Sequence, residues 1–280
     1  MKKNITMAIT ASDVAKLRKM TGAGMMDCKK ALEEANGDFE RAQDLIRERG
    51  KLIASKRADR EATEGAVLAK TTADGKRGAI ICLNCETDFV AKNADFVGLA
   101  DNILNLAVEK NPASLEELLS LELEGLKIGD LVTEKSGVTG EKLTLSFYGK
   151  LEDAFVIPYI HMNNKLATLV SFSKQISEDV AKDVAMQVAA MKPVALDKTS
   201  TPAEVVEKEL QIAKEQLRLE GKSEDMIEKI APGKLNKFFK ENTLMAQDFI
   251  KDSKISVEAY VKAADADAKV TGFVRYSLND

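Results

Sequence analysis

Residues 66–90 read AVLAKTTADGKRGAIICLNCETDFV, and this stretch decides the kind of fold that the chain adopts. Apolar residues dominate 66–72 and 78–83, and residues 73–76 between them have the composition of a tight turn, which predicts a β-hairpin. Over residues 88–108 the apolar positions recur at helical spacing, which predicts a long amphipathic helix after the second strand. A hairpin followed by a helix is typical of an α+β fold with antiparallel sheets.

A similar order of elements occurs again further along the chain. Three more strands are predicted there, followed by a helix that Ser177 caps and that ends near Met191. The strands lie at residues 143–148, 154–160 and 166–172. We therefore predict two similar α+β half-domains, a core N-subdomain at residues 65–140 and a core C-subdomain at residues 141–195. Within the first, the Leu- and Glu-rich residues 114–126 predict a further helix.

The residues before the hairpin predict a small helical domain. Residues 21–24 (TGAG) and 36–38 (NGD) interrupt the apolar periodicity and divide residues 8–50 into three short helices. The glycines of the first interruption favour a tight turn between helices over a phosphate-binding loop, because the spacing of such a loop and a preceding strand are both missing. The charged residues 51–64 predict a solvated, partly helical linker.

Met25 and Met26 follow the glycine turn directly. Spacing places Met26 on one helix face with Ala31, Leu32 and Ala35, which favours core packing. Exposed methionines, in contrast, suit binding to a partner because their side chains are flexible and polarisable. The residues alone favour core packing and leave partner binding open.

The last third of the chain predicts a helical hairpin and a closing module. Val206, Leu210, Ala213 and Leu217 step by four, three and four, which is a coiled-coil spacing. Gly221 ends that helix, and a second helix follows at 223–239. We predict the inserted hairpin at residues 196–240 and a C-terminal module at residues 241–280. The module is expected to contain a helix at 257–264 and a strand at 270–278.

Composition and charge argue against several classes of function. The net charge is −4, the pI is about 5.4, and acidic and basic residues are interleaved, which disfavours DNA or RNA as a direct partner. No apolar run approaches the ~20 residues that span a bilayer, and the basic start lacks the apolar run of a secretory signal. Three cysteines indicate reduced thiols and a cytoplasmic protein. His161 is the only histidine, which disfavours His-based catalysis and metal sites with several histidines. We expect no catalytic residue, no metal site and no cofactor.

Cys82 and Cys85 form a Cys-x-x-Cys motif. Such a motif is found in redox pairs and in zinc sites. This pair ends an apolar strand, however, whereas a redox thiol normally begins a helix that lowers its pKa, and no second Cys or His pair completes a zinc site. We favour structural thiols and keep thiol or metal chemistry as the alternative.

Residues 86–90, Glu-Thr-Asp-Phe-Val, join the second strand of the hairpin to the following helix. Thr87 or Asp88 can cap that helix, which puts Phe89 in its first turn. Phe89 then either packs into the core as a hydrophobic staple or remains exposed beside the Asp88 carboxylate as the anchor of a partner-binding site. The residues alone leave both interpretations open.

Four segments together resemble the elongation factor Ts family. They read LRKMTGAGMMDCKKAL at 17–32, NCETDFVA at 84–91, KLNKFF at 234–239 and VTGFVR at 270–275. The first two are similar to the two signatures of that family, and the others follow in the family's order. The resemblance implies an N-terminal domain similar to ubiquitin-associated domains, two paired core subdomains, a hairpin similar to a dimerisation or protruding coiled coil, and a C-terminal module that returns to the core.

Members of that family bind elongation factor Tu and promote the release of GDP, so the resemblance implies a nucleotide-exchange factor that performs no covalent chemistry. The residues that it implies for partner binding are Arg18, Met25, Met26, Lys29, Thr87, Asp88, Phe89, Val90 and His161. The four in the first signature would contact the GTPase domain of the partner. Asp88 and Phe89 would insert between two helices of that domain near its magnesium site, and His161 would contact the third domain of the partner.

The resemblance also implies a homodimer through residues 196–240, as in some members. A helical adaptor that recognises proteins without exchanging nucleotide is the alternative function. Two segments depart from the family pattern. Residues 162–164 (Met-Asn-Asn) replace a Gly-rich turn, and because Asn tolerates a positive φ we predict that the turn persists. Gln187 and Met191 stand where the family usually has His and Ser.

Overall fold

The computed structural model describes residues 9–279, so the predicted first boundary at residue 8 lies outside the described residues. The helices are α1 (Ala11–Thr21), α2 (Met25–Glu34), α3 (Phe39–Lys56), α4 (Asp88–Ala91), α5 (Ala94–Lys110), α6 (Leu115–Ser120), α7 (Ile128–Thr139), α8 (Glu178–Met191), α9 (Ala203–Leu219), α10 (Glu224–Asn242) and α11 (Val257–Ala264). The strands are β1 (Glu64–Thr71), β2 (Arg77–Cys85), β3 (Glu122–Leu123), β4 (Leu126–Lys127), β5 (Thr144–Glu152), β6 (Phe155–Ile160), β7 (Leu166–Phe172), β8 (Asp248–Phe249), β9 (Asp252–Ser256) and β10 (Val270–Ser277). The predicted α+β fold is confirmed.

Contacts within the chain divide it into two compact units. Of the described residues, the first contains 9–66 together with 81–148, and the second contains 67–80 together with 149–279. Within the second unit, the turn of the β1–β2 hairpin is bonded to the segment after β5. Asp153 N donates to Lys76 O at 3.0 Å, and Val156 N donates to Gly75 O at 2.7 Å.

The N-terminal helices begin and end at the two predicted interruptions. Thr10 caps α1 in a capping box with Asp13, and Gly22 ends that helix with a left-handed φ of 73°. The shared core of the three helices includes Val14, Leu17, Cys28, Ala31, Leu32 and Ile46. The placement of Met26 on this buried face is wrong, because Cys28 takes that position and Met26 lies on the solvent side of α2.

α3 extends through residues 51–56, which the prediction places in the linker, and packs against α7. Gly50 and Gly137 meet where these helices cross, since a Cβ added to Gly137 would lie 2.0 Å from the Cα of Gly50. Backbones approach this closely only where side chains are absent. The predicted helix over residues 114–126 is instead α6 followed by the short β3–β4 hairpin, and α7 is a helix that the sequence patterns do not indicate.

Two three-stranded sheets contain most of the strands. Their orders are β1-β2-β5 and β10-β7-β6. The prediction grouped β5 with β6 and β7, but β5 pairs with β2 and β10 takes the position beside β7. Phe273 of β10 lies opposite Val170 of β7, and Phe155 of β6 lies opposite Phe172. A strand signature alone carries no information about which sheet the strand joins, so this exchange depends on the tertiary structure.

In the second unit, α8 packs on the β10-β7-β6 sheet, and α11 packs on α8. Their core includes Val170, Phe172, Val184, Val188, Leu244 and Val257. The α9–α10 hairpin has a smaller core of its own, formed by Leu217, Ile227 and Ala231. The predicted bounds of α8 to α11 agree with the structure to within three residues. Within residues 9–279, no helix is both long enough and apolar enough to cross a membrane.

Candidate functional site

The segment after β2 is a short helical turn that carries an exposed phenylalanine. α4 has only four residues, none of them buried, and its cap is the Thr87 side chain, which accepts a hydrogen bond from Val90 N at 3.5 Å. Phe89 is 85% exposed, so it does not pack into the core as a staple. Of the two interpretations that the sequence leaves open, the structure agrees with the exposed aromatic side chain.

The break between α4 and α5 separates this turn from the core. The prediction of one helix over residues 88–108 is wrong, because Asn93 adopts an extended conformation and its side chain accepts from Asp95 N at 2.8 Å. An N-cap inside an apolar-periodic segment begins a new helix. Phe96, Leu99 and Ile103 of α5 are buried, whereas the α4 turn stays at the surface.

Every polar atom of Thr87 is hydrogen-bonded. Its N–H and its hydroxyl both donate to the Glu141 carboxylate, at 3.0 and 2.6 Å. Its carbonyl accepts from the Cys85 thiol at 3.1 Å and from Ala91 N at 3.1 Å. Glu141, which lies just after α7, also accepts from Glu86 N at 3.1 Å. A residue 54 positions further along the chain therefore fixes the start of the turn.

Glu86 anchors the same junction through its own side chain. Its carboxylate accepts from Lys142 N at 2.7 Å and forms ion pairs with Arg57 at 2.9 Å and Arg60 at 3.0 Å. The Lys142 N–H and then the two guanidinium groups lower the pKa of Glu86 to about 2, against the opposing effect of partial burial. Lys142 Nζ in turn donates to the carbonyls of Ala58 and Arg60 at 2.7 and 2.9 Å.

These residues form one polar network, which we call the junction latch. It consists of Arg57, Arg60, Glu86, Thr87, Glu141 and Lys142. No sequence pattern identifies Glu141 or Lys142 as partners of the Thr87 turn, because their bonds to it join residues 54 to 56 positions apart. Only two members of the junction latch, Glu86 and Thr87, belong to the second signature at residues 84–91.

The Cys-x-x-Cys motif contributes to the packing behind the turn. Cys82 and Cys85 are buried, and the Cys82 thiol donates to Asn84 Oδ1 at 3.3 Å. Burial and then the Glu141 carboxylate raise the pKa of Cys85 to about 12, so its thiol keeps its proton at neutral pH and remains a donor to Thr87. A redox pair needs the opposite shift. In the part of the chain that the structure describes, no group of three or more His, Cys, Asp or Glu residues is placed to hold a metal ion.

Asp88 lies beside Phe89 at the surface. Its carboxylate pairs with Lys92, one helical turn later, at 2.6 Å, and this bond raises the pKa of Lys92. The two side chains are largely exposed, so their ion pair contributes little to stability and is readily exchanged for another partner. The turn therefore presents an apolar ring and an anionic group side by side.

The residues of the N-terminal signature are also at the surface. Met25 is 43% exposed and Met26 is 63% exposed at the start of α2, so the core packing that spacing favours for them is wrong. Lys29 lies on the same helix and pairs with Glu33 at 3.8 Å. Arg18 is exposed in the last turn of α1.

A groove of about 550 Å³ in the first unit is lined by both signatures. Arg18 and Gly22 belong to the first signature, and Val90 belongs to the second. Lys135 and Val138 of α7 line the same groove. The structure therefore brings parts of the two signatures to one concave surface, although about 70 residues separate them in the chain.

His161 belongs to the second unit and follows β6. It is exposed, its Nδ1 lies 3.0 Å from the Tyr159 hydroxyl, and its N–H donates to Leu166 O at 2.8 Å. Asn163 and Asn164 have φ angles of 63° and 55°, so the prediction that Asn supplies the positive φ of this turn is confirmed. The turn presents His161 at the end of the β6–β7 hairpin.

Gln187, one of the departures from the family pattern, is completely buried. Its Nε2 donates to Gln247 Oε1 at 3.1 Å and to Asp248 O at 3.2 Å. Its Oε1 accepts from Ile250 N at 2.9 Å. Gln187 therefore orders the segment after α10 inside the second unit, where its amide is fully hydrogen-bonded.

A family model described as Elongation factor TS matches residues 86–280 of the chain. The Elongation factor Ts of Porphyromonas gingivalis is 51% identical over 274 residues, which cover 98% of this chain and 99% of that protein. The protein of the same name from Flavobacterium psychrophilum is 53% identical over 272 residues, covering 96% and 98%. The one from Amoebophilus asiaticus is 52% identical over 272 residues, with the same coverage.

Proposed function

The chain belongs to the elongation factor Ts family, and we propose that it is a guanine-nucleotide exchange factor for elongation factor Tu. It binds the GDP-bound partner during translation elongation in the cytoplasm and promotes GDP release without covalent chemistry. It needs no catalytic residue, metal or cofactor of its own and makes no direct contact with nucleic acid or a membrane. The name that the relatives share supports a role in translation.

The exposure of Phe89 carries this proposal. A ring that is 85% exposed leaves most of its apolar area in water, and burying it is worth about 2–3 kcal/mol. Asp88 and Phe89 insert between two helices of the GTPase domain near its magnesium site, with Thr87 and Val90 on either side. The polar bonds behind Thr87 support this role, because they hold the turn in place before the partner arrives.

Insertion promotes release through thermodynamic linkage. If the factor lowers the affinity of the GTPase for GDP, GDP lowers the affinity for the factor to the same extent. Displacing the elements that hold the magnesium ion removes a cation that neutralises phosphate charge. Because every ~1.4 kcal/mol is a tenfold change in affinity, burial of one phenylalanine can supply a coupling of about ten- to a hundredfold.

The remaining contacts divide between the two units. The GTPase domain is contacted by four residues of the first signature, Arg18, Met25, Met26 and Lys29. The exposure of the two methionines supports this role, because their flexible side chains adapt to a partner surface. His161 contacts the third domain of the partner. Its exposed position at the end of the β6–β7 hairpin supports that assignment.

The α9–α10 hairpin, which corresponds to the predicted residues 196–240 and ends at Asn242, forms a homodimer interface in this proposal. Leu217 and Ile227 are buried in the core of the hairpin itself. Ile212 and Leu219 of α9, in contrast, are 40% and 82% exposed. Their seven-residue spacing fits packing against a second copy. Sedimentation equilibrium is expected to show a dimer for the wild type and a monomer for Leu219→Asp. A wild type that stays monomeric over the accessible concentrations contradicts the dimer.

Release of labelled GDP from purified elongation factor Tu tests the exchange function. We expect the wild type to accelerate release and Phe89→Ala to reduce the stimulated rate about ten- to a hundredfold. Leu52→Ala is the matched control, because it truncates a 56% exposed apolar side chain of the same unit outside both signatures. Wild-type exchange by Phe89→Ala would refute insertion. If this protein binds elongation factor Tu equally well with and without GDP, the result would support the helical adaptor function instead.

A further inference from the structure

We propose that Glu141 is a positioning residue, which holds the α4 turn through the junction latch so that Phe89 stays in the orientation that insertion requires; this role rests on the proposed exchange function. Glu141 does not belong to either signature. It acts on Thr87 and Glu86, not on the partner.

α4 is too short to hold Phe89 by itself. It has four residues, whereas isolated helices below about 12–15 residues are marginal in water. None of its residues is fully buried, and Val90 and Ala91 are only half-buried, so packing contributes little to fixing its direction. An exposed ring also favours any rearrangement of the turn that would bury it. The orientation of Phe89 therefore depends on bonds from outside α4.

Glu141 supplies such bonds at the residue where the turn begins. Its Oε2 accepts from the N–H groups of Glu86 and Thr87, and its Oε1 accepts from the Thr87 hydroxyl. Two of these three donors are backbone groups, so the carboxylate fixes the path of the chain and not only a rotamer. Bonds to an ionised acceptor are stronger than bonds between neutral groups. Both oxygens of Glu141 already have donors within the protein.

The two segments hold each other reciprocally. Glu86 N donates to Glu141, and Lys142 N donates back to the Glu86 carboxylate at 2.7 Å. Gly140, with a left-handed φ of 70°, ends α7 directly before Glu141 and so sets where the carboxylate lies. The latch therefore ties the α4 turn to α7. A turn ordered in advance loses less conformational entropy when the partner binds.

A double-mutant cycle with Phe89 tests this role. We expect Glu141→Ala to lower the GDP-release rate at saturating factor about tenfold, equivalent to ~1.4 kcal/mol. In the Phe89→Ala background we expect Glu141→Ala to have little further effect on the rate, because the Phe89 ring that Glu141 positions is absent. Equal losses in both backgrounds would overturn the positioning role, since they would indicate a general structural effect.

Two further variants keep the test decisive if Glu141→Ala folds poorly. Thr87→Val preserves shape and removes the hydroxyl, which donates to Glu141 at 2.6 Å and accepts the weaker capping bond from Val90 N at 3.5 Å. It is expected to lower the rate about threefold with Phe89 present and not in its absence. Glu117→Ala is the matched control, because its carboxylate also accepts a backbone N–H, that of Ala113 at 2.6 Å, in the same unit. It should leave exchange unchanged in both backgrounds.

The exchange function and the positioning role fail in different ways. If the wild type does not accelerate GDP release, the exchange function is wrong and the positioning role falls with it. If Phe89→Ala loses exchange while Glu141→Ala and Thr87→Val match the wild type, the exchange function stands and the positioning role is wrong.

Discussion

Two turns of this protein each follow an apolar strand and present a side chain to solvent, but they are held differently. The turn after β2 is held by the junction latch, whose members Glu141 and Lys142 lie more than fifty positions away. The turn after β6 is held mainly by its own backbone, with positive φ at Asn163 and Asn164 and a bond of 3.2 Å from Asn164 N to His161 O, and Leu278 N donates to Lys165 O at its end. The first depends on distant side chains and the second on local conformation.

This difference has a consequence for what each turn can do. The distant residues Glu141 and Lys142 directly follow α7, so the turn that they hold moves when α7 moves and resists displacement while α7 stays in place. A turn held mainly by its own dihedral angles depends little on distant side chains. The exposed His161 ring has one hydrogen-bond partner, the Tyr159 hydroxyl at 3.0 Å. The Phe89 turn therefore suits insertion, and the His161 turn suits an adjustable contact.

Gly137→Ala is expected to have the largest effect and to act on the Phe89 turn only. Its Cβ would lie 2.0 Å from the Cα of Gly50, so α7 must move away from α3 and take Glu141 with it. We expect the free energy of unfolding in urea to fall by about 3 kcal/mol. Hydrogen exchange should accelerate at the amide of Thr87 and stay unchanged at the amide of His161.

The control for this prediction lies in the same helix. A Cβ at Gly129 would be 3.6 Å from the Leu119 carbonyl, which is an ordinary contact. Gly129→Ala should therefore change the free energy of unfolding by no more than about 1 kcal/mol. Equal destabilisation by both substitutions would show that the close approach of α3 and α7 is not the cause.

Asn163→Ala is expected to have an intermediate effect, confined to the His161 turn. A left-handed conformation at φ 63° costs an alanine about 1 kcal/mol more than it costs glycine. Thermal unfolding should show that loss for Asn163→Ala and almost none for Asn163→Gly. Faster hydrogen exchange at Thr87 in either variant would contradict the independence of the two turns.

The effect that is smallest near neutral pH is expected from protonation of Glu86, because it appears only in acid. Its pKa in the folded protein is about 2, below its usual value of 4.5, so it stabilises the fold fully above about pH 4.5 and loses that contribution as the pH falls toward 2. Unfolding in urea at several pH values should show a shallower dependence over this window for Glu86→Gln than for the wild type. Parallel curves would mean that the latch contributes nothing to acid sensitivity.

Local signals predict most of the secondary structure. α11 lies at the predicted residues, and α8 begins after the predicted cap Ser177, because apolar periodicity and caps act within one or two helical turns. The same signals mispredict residues 88–108 as one helix, because apolar spacing continues across the break and the cap formed by Asn93 is visible only once its side chain is placed. They miss α7, whose two glycines lower helix propensity, although one of them, Gly137, allows its close packing on α3.

The sequence by itself determined the α+β class, the order of most elements and the family, since periodicity, caps and two signatures are written within short segments of the chain. Only the tertiary structure decided that β5 pairs with β2, that Met26 lies on the solvent side of α2, and that Phe89 stays exposed. The physical reason is the same in each case. A strand can pair with more than one neighbour, and an apolar residue or an aromatic ring can be either buried or exposed. Partners from distant parts of the chain decide between these alternatives.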